Sequence, residues 1–303
     1  MSSPPSGQQF HLVAGDREAW VSSTGATLRA YEVAGEPRLD GFGVDQPSTG
    51  GRGQLLMPWP NRLRDGSYRW GGQQYQLPLT EPARGNAIHG LVRWQPWSAI
   101  HADGSGVTLR YDLDPCEGYP FRVRMEAAYH LDEAAGLSVG LSATNLSDTS
   151  CPFGAGAHPY LRLNHKTIDT LWLRLPASTM YVCDDRQIPE GTKPVAGTEF
   201  DFGDWRQVGS TVLDTAYTDL SAGEDGLVTV EVRSSEGDQV AVWMDAAFDH
   251  VMVFTGDTLA EPTRRRAGLA IEPMTCAPNA WQSDPSGVEL SPGTTFTGRF
   301  GIR

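Results

Sequence analysis

The sequence predicts an all-β protein, a large antiparallel β-sandwich, and three observations predict it. Apolar residues recur with period two along most of the chain. Glycine and proline, 34 and 21 in number, break nearly every segment at turn spacing. No long window carries apolar residues at i, i+3, i+4 and i+7, the spacing of an amphipathic helix.

Taken in chain order, the opening MSSPPSGQQF has neither a basic start nor an apolar stretch, so it does not read as a secretory leader. Residues 1–8 are expected to form a disordered tail and residues 9–303 one sandwich domain. HLVAG, AWVSS and ATLRAYEVAG supply the first strands, then QQYQLP and GVTLRYDL. In FRVRMEAAYHL, Phe121, Val123, Met125, Ala127, Tyr129 and Leu131 fall on one face, with Arg122, Arg124, Glu126 and His130 on the other. After DEAAG, Leu137, Val139, Leu141 and Ala143 alternate with small polar residues, so the two runs predict an antiparallel hairpin. TLWLRLP follows, and GLVTVEVRSSEGDQVAVWM repeats the hairpin pattern around Ser234–Gly237. HVMVFTG, GLAIEP and TTFTGRFGI complete the strands, and only DWRQVG offers a short turn of helix. No glycine/serine or proline-rich linker divides the chain.

Composition narrows the function. A hydrophobic content of 39% is enough for a packed core, and a net charge of −13 excludes nucleic acid, which needs a basic face. The basic run Arg264–Arg266 beside Glu261 reads as a solvated loop. Four cysteines without CxxC spacing are expected to be free thiols of a reducing compartment. No apolar run approaches the roughly 18 residues of a membrane helix. A soluble, cytoplasmic protein is expected, with no nucleic-acid or membrane partner, as a monomer or homodimer.

Four segments break the alternation, and such violations mark functional sites. MPWPNRLRDGSYRW places two prolines around Trp59 ahead of Asn61 and Arg62. RGNAIHGLVRWQPW holds Asn86 and His89 in a glycine-flanked loop. CPFGAGAHPYLRL sets His158 among very small residues, which leave room for a ligand, and before Pro159, which restricts the ring. GLAIEPMTCAPNAW ends an apolar strand in Glu272. A lone histidine is more often structural, and His11, His101, His130, His165 and His250 keep that reading. A buried Glu272 is either half of a structural ion pair, with Arg62 as partner, or a general base raised toward neutrality. Most of the nine tryptophans read as packing, though an aromatic face also stacks on the C–H face of a sugar. No phosphate loop, GxGxxG or HExxH occurs, so neither a cofactor nor a metal is expected.

Together the pieces PWPNRLRDGSY, NAIHGLV, GAGAHPYL, LDTAYTDL and AIEPMTCAPNAW resemble the aldose 1-epimerase (galactose mutarotase-like) family, across roughly residues 55–285. The resemblance implies a β-supersandwich with a sugar pocket on one broad face. It also implies cofactor-free interconversion of the α and β anomers of a free aldohexose. Residue by residue, Glu272 matches the general base, His158 the general acid, His89 the second pocket histidine and Arg62 the substrate-binding arginine. Asp214 matches the pocket aspartate, with Asp219 in the same motif as the alternative. Asn86 either positions the sugar or braces its loop. IHGLVRW lacks the usual double glycine after the histidine, and EPMTCAPNAW replaces a glutamate-threonine-glutamine ending, which leaves the sugar open and points to a bacterial branch.

Mutarotation needs a proton taken from the anomeric hydroxyl and another given to the ring oxygen, which a carboxylate and an imidazole supply near neutral pH. Three other readings stay open. A glycosidase would use Glu272 and Asp214 as a carboxylate pair. A non-catalytic sugar-binding protein would share the scaffold. A hexose-6-phosphate 1-epimerase would draw on Arg84 and Arg93 beside the His89 loop.

Overall fold

The structure is a computed structural model describing residues 4–163 and 167–303. His165 lies outside the described residues. A nine-stranded antiparallel sheet runs in the order Arg206–Gln207, Trp172–Arg174, Val228–Arg233, Gln239–Met244, Thr295–Ile302, Gly136–Asn145, Val123–Asp132, Gly106–Leu113 and Ser98–Ala102. The predicted hairpin forms its centre, with Ala127 opposite Leu141 and Asp132 opposite Gly136. Its predicted apolar face is buried from Val123 to Leu131, and its other face is partly or fully exposed. The second hairpin pairs Val230 with Val242.

A six-stranded antiparallel sheet positions the site, in the order Tyr160–Leu161, Leu269–Met274, His250–Phe254, Asp214–Leu220, Ala177–Cys183 and Pro189–Pro194. Because side chains alternate along a strand, each of its strands serves two surfaces. Leu269 and Ile271, with Val251 and Val253 on the neighbouring strand, enter the main hydrophobic core shared with the nine-stranded sheet. Ala270, Glu272 and Met274 face the other way, level with Phe254, Met252 and His250. The alternation that anchors the sheet therefore also delivers Glu272 to its open face. Both sheets are antiparallel, and the predicted sandwich class holds.

Three expectations change. DWRQVG is not helical: Arg206–Gln207 pairs with Trp172–Leu173 as an edge strand. Six residues are too few to nucleate a helix without packing, whereas a free sheet edge takes them at once. Among the described residues, helical structure is limited to the single turn Ala280–Ser283 and the 3₁₀ turns Ile168–Thr170 and Pro262–Arg264. The basic run is solvated only at Arg265, which is exposed. Arg264 pairs with buried Asp40 at 2.5 Å, and Arg266 pairs with Asp169 at 2.5 Å and Asp257 at 3.0 Å. Two of these partners lie far away in sequence, so nothing local announced them. Third, Ala177–Cys183 and Pro189–Pro194 are strands without a usable apolar alternation, the latter an exposed edge that tolerates its prolines.

The four cysteines are free. The small residues ahead of His158 have a different task from the one expected. A Cβ on Gly154 would lie 2.7 Å from Cys276 Sγ, and one on Gly156 would lie 2.9 Å from Pro60 and 3.0 Å from the Pro273 carbonyl. They let three backbones close together rather than leaving room for a ligand. The resulting ladder joins Gly156 to Leu56 in both directions, His158 N–H to the Gln54 carbonyl and Gly53 N–H to the His158 carbonyl.

Gly90 fixes the turn that carries His89. It has φ +73°, and a Cβ there would lie 1.9 Å from the Met57 carbonyl oxygen, which accepts the Leu91 N–H at 2.8 Å. Gly90→Ala is expected to cost more than about 1 kcal/mol of stability. Thermal unfolding measures this, and an unchanged midpoint contradicts the packing described.

Candidate active site

A cleft of about 620 Å³ opens on the face of the six-stranded sheet that carries Glu272. Its floor includes His158, Tyr160, Asp214, Met252 and Glu272, and its walls include Gly50, Gly51, Arg62, Glu81, Arg84, His89, Arg93 and Trp94. Five of the six predicted site residues meet here. The sixth, Asn86, is fully buried beside the cleft rather than in its lining. Its side chain donates to Glu81 at 3.0 Å and to the Arg186 carbonyl at 2.9 Å, and its own carbonyl accepts from Arg186. Of its two expected tasks, its contacts perform the bracing.

Glu272 Oε1 lies 3.2 Å from His158 Nε2, and both side chains are buried. The ion pair considered for Glu272 and Arg62 does not form. Arg62 instead grips Glu81 with Nε at 2.9 Å and Nη2 at 3.1 Å, and its Nη1 lies 3.6 Å from Asp214. Geometry explains the exchange, since a planar guanidinium matches a carboxylate on two parallel bonds. Asp214 holds Arg84 as well, at 3.6 Å, while Asp219 sits exposed near the end of the same strand, outside the cleft lining.

Burial acts on both members of the central pair in the direction that removes charge. Desolvation, reinforced by the Asp214 charge, holds the Glu272 carboxyl well above its usual range, against the pull of Arg62. Desolvation and the nearby Arg93, Arg52 and Arg62 press His158 down to about 3, with only a backbone hydrogen bond opposing. Both shifts favour the uncharged forms, a protonated Glu272 carboxyl facing a neutral His158 Nε2. Glu272 Oε2 and His158 Nδ1 have no protein partner. Buried polar atoms normally do, so a ligand hydroxyl has an acceptor waiting at Oε2.

His89 stands edge-on to His158, ring centroids 5.4 Å apart at 76°. Its backbone takes φ +62°, and its Nδ1 accepts the Asn61 backbone N–H at 3.2 Å. Burial, then Arg93, keeps its ring neutral, well below the ordinary histidine range. A neutral ring that accepts at Nδ1 carries its proton on Nε2, so His89 is a hydrogen-bond donor. This bears on metal binding, because the ligand atoms of His89, His158 and Glu272 lie within 4.8 Å of one another. A metal needs a lone pair from each imidazole, and Asn61 already occupies the one His89 offers. The donor set suits hydroxyl groups instead.

Sequence reasoning missed Glu81, which sits in the featureless TEPARG loop and acquires meaning only by pairing with Asn86 across a turn and with Arg62. Among the tryptophans, Trp94 lines the cleft at 53% exposure, whereas Trp59 and Trp281 pack edge-to-face at 4.9 Å in the core.

An antiparallel sandwich whose open sheet face carries a buried carboxyl–imidazole pair in a polar cleft defines the class of scaffold, and relatives narrow it. The chain belongs to the aldose 1-epimerase family, whose model matches residues 8–303. It is 33% identical over 285 residues to the uncharacterized protein YihR of Escherichia coli K12, covering 94% of this chain and 88% of that one. It is 25% identical over 264 residues to the aldose 1-epimerase of Escherichia coli K12, covering 79% and 74%. Its fold superposes on an aldose epimerase homologue from C. elegans with a TM-score of 0.87 at 18% identity, covering 98% of each chain.

Burial works to raise the Glu81 carboxyl, but Arg62, Asn86 and Arg84 outweigh it and hold Glu81 below its ordinary range. A depressed carboxyl contributes stability that is present above its unfolded value and lost as pH falls through the folded one. Glu81→Gln is therefore expected to unfold at a lower temperature than the parent at pH 7, with the gap closing below about pH 4. A pH-independent gap contradicts the pairing.

Proposed function

We propose that the protein is an aldose 1-epimerase acting on a free aldohexose, without metal or cofactor. The observation that carries the reading is the buried Glu272–His158 pair at 3.2 Å in the cleft, with Glu272 Oε2 left open. The anomeric hydroxyl and the ring oxygen share one carbon, so two groups this close reach both. The hydroxyl donates to Glu272 Oε2, which favours the carboxylate and drives the carboxyl proton onto His158 Nε2.

Glu272 then takes the hydroxyl proton as His158 delivers its own to the ring oxygen, and the C1–O5 bond breaks to give the open aldehyde. Rotation about C1–C2 presents the other carbonyl face. Reclosure returns the proton from O5 to His158 and the one on Glu272 to O1, so the pair ends as it began. Each transfer contributes roughly 10²–10⁴-fold. His89 Nε2–H, Arg62 and Asp214 orient the hydroxyls and hold the open chain until it closes. Asp214, engaged by two arginines, suits accepting hydroxyls better than serving as a glycosidase's second carboxyl.

One observation favours a second reading, a phosphorylated aldose. Arg93 lines the cleft and has only long contacts, to Gln54 at 3.4 Å and the Ile88 carbonyl at 3.3 Å. Among the described residues no carboxylate pairs with it, and burial pulls it down to about 10. A desolvated, uncompensated guanidinium fits an anionic substituent.

NMR of α-to-β conversion with glucose, galactose and glucose 6-phosphate tests both readings. Acceleration of a neutral aldose supports the first, preference for the phosphate ester supports the second, and no acceleration overturns both. Glu272→Gln and His158→Asn are each expected to slow conversion at least about 100-fold while sugar binding persists. Unchanged rates in either folded variant refute the role given to that residue. Because the pair titrates as a unit, kcat/KM is expected to show no titration at the ordinary histidine value. An alkaline fall centred near the ordinary histidine value of about 6.5 contradicts the coupling.

A further inference from the structure

His158 is backed by a chain of contacts that the reaction itself does not use. Its ring stacks on Tyr160, centroids 4.9 Å apart and planes 15° from parallel. The Arg52 guanidinium stands over the same phenol ring, Cζ 5.0 Å from its centroid. Arg52 Nε in turn donates to Asp40 at 3.0 Å, and both side chains are almost fully buried. The Tyr160 hydroxyl donates to the Gly50 carbonyl at 2.8 Å, and Arg52 Nη1 to the Thr49 carbonyl at 2.8 Å. Backbone bonds lock the same parts together, Asp40 N–H to the Tyr160 carbonyl and Gly53 N–H to the His158 carbonyl, each at 2.9 Å. Gly51 closes the arrangement, since a Cβ there would lie 2.6 Å from His158 Cδ2.

We propose that Asp40, Arg52 and Tyr160 form a positioning column behind His158, in which the carboxylate fixes the guanidinium, the guanidinium fixes the phenol and the phenol fixes the imidazole plane, with the Arg52 charge set behind the donor ring. The proposal rests on His158 as the proton donor of the reaction above. Two features make it more than packing. A flat aromatic contact holds the ring plane without using either ring nitrogen, so Nε2 stays available for transfer. Asp40 also pairs with Arg264 at 2.5 Å and Arg162 at 3.7 Å. One carboxylate shared by three guanidiniums neutralises Arg52 only in part, and the remaining positive field reaches His158, where it opposes protonation. A ring ether oxygen is a weak base, and a donor destabilised in its charged form gives up its proton to it more readily.

The charged and titratable groups facing His158 are Glu272 from its own sheet, Arg62 and His89 from the facing turn, Arg93 beyond them and Arg52 behind Tyr160. Of these, Arg52 alone combines a charge on His158 with a stack on the ring beneath it, so its two effects separate by substitution. Arg52→Met removes charge and fork; Arg52→Lys keeps the charge and loses the fork.

The experiment follows the protonation of His158 by ¹⁵N NMR in the parent and both variants, alongside kcat and KM for the aldose that the parent converts fastest. In Arg52→Met, His158 is expected to take up its proton at a pH higher by about half a unit or more. The acid limb of kcat should move with it, and kcat should fall about tenfold with KM little changed. In Arg52→Lys the titration is expected to stay in place while kcat still falls. Wild-type titration in a folded Arg52→Met overturns the column's electrostatic role, and wild-type kcat in Arg52→Lys overturns its positioning role. If Arg52→Met does not fold, Arg52→Gln, which also removes the charge, is read in its place. A parent without mutarotase activity sinks the functional reading above, whereas the His158 titration still decides whether Arg52 governs its proton.

Discussion

The burial of two titratable groups, Glu272 and His158, 3.2 Å apart, is the constraint on which the rest of the site depends. Either group alone would be costly to charge at this depth, and together they solve the problem by holding one proton and no net charge. The surroundings keep that balance poised. Asp214 pushes the proton toward Glu272 from one side, while Arg93, Arg52 and Arg62 push it away from His158 on the other. A hydroxyl arriving at the open oxygen of Glu272 has only to tip an equilibrium that already exists. That is an economical way to generate an acid and a base from a neutral resting site.

Such a pair works only if its two members cannot drift, and the fold meets this demand through close backbone approach. Gly154 and Gly156 let the His158 segment press against Pro60, Pro273 and Cys276, so the segments bearing His158 and Glu272 are held side by side. Gly90 does the same for His89 against Met57. Charged side chains at the rim are pinned in turn: Arg62 by Glu81, Glu81 by Asn86, and Asn86 by Arg186. On the proposed reading a sugar meets donors and acceptors already in place, and little orientation has to be bought with binding energy.

Much of this was legible in the sequence, for identifiable reasons. The central hairpin declared itself because Val123–Leu131 alternates strictly between core and solvent, a period no helix shares. His158 and Glu272 stood out because they interrupt runs of small or apolar residues, where a polar group must have a purpose. Less legible were features whose meaning lies in distant partners. Glu81 looks like any exposed loop acid until Arg62 and Asn86 close on it. Arg264 and Arg266 look solvated until Asp40 and Asp169 are brought alongside. Of the strand holding Asp214, only Asp214 itself reaches the cleft, while Ala216 on the same face packs with Met252 and Met274, so no polar run marks the site. The glycines were noticed, but sequence alone assigned their space to the ligand rather than to neighbouring backbone.

The central claim, that the resting pair keeps its proton on Glu272 and yields it to His158 when an aldose arrives, is tested most directly by difference infrared spectroscopy at neutral pH. The empty protein is predicted to show the carbonyl stretch of a protonated, buried carboxylic acid that disappears in Glu272→Gln and is replaced by a carboxylate band when sugar saturates the cleft. A Glu272 already ionised in the empty protein, or one that remains protonated with sugar bound, would contradict the account.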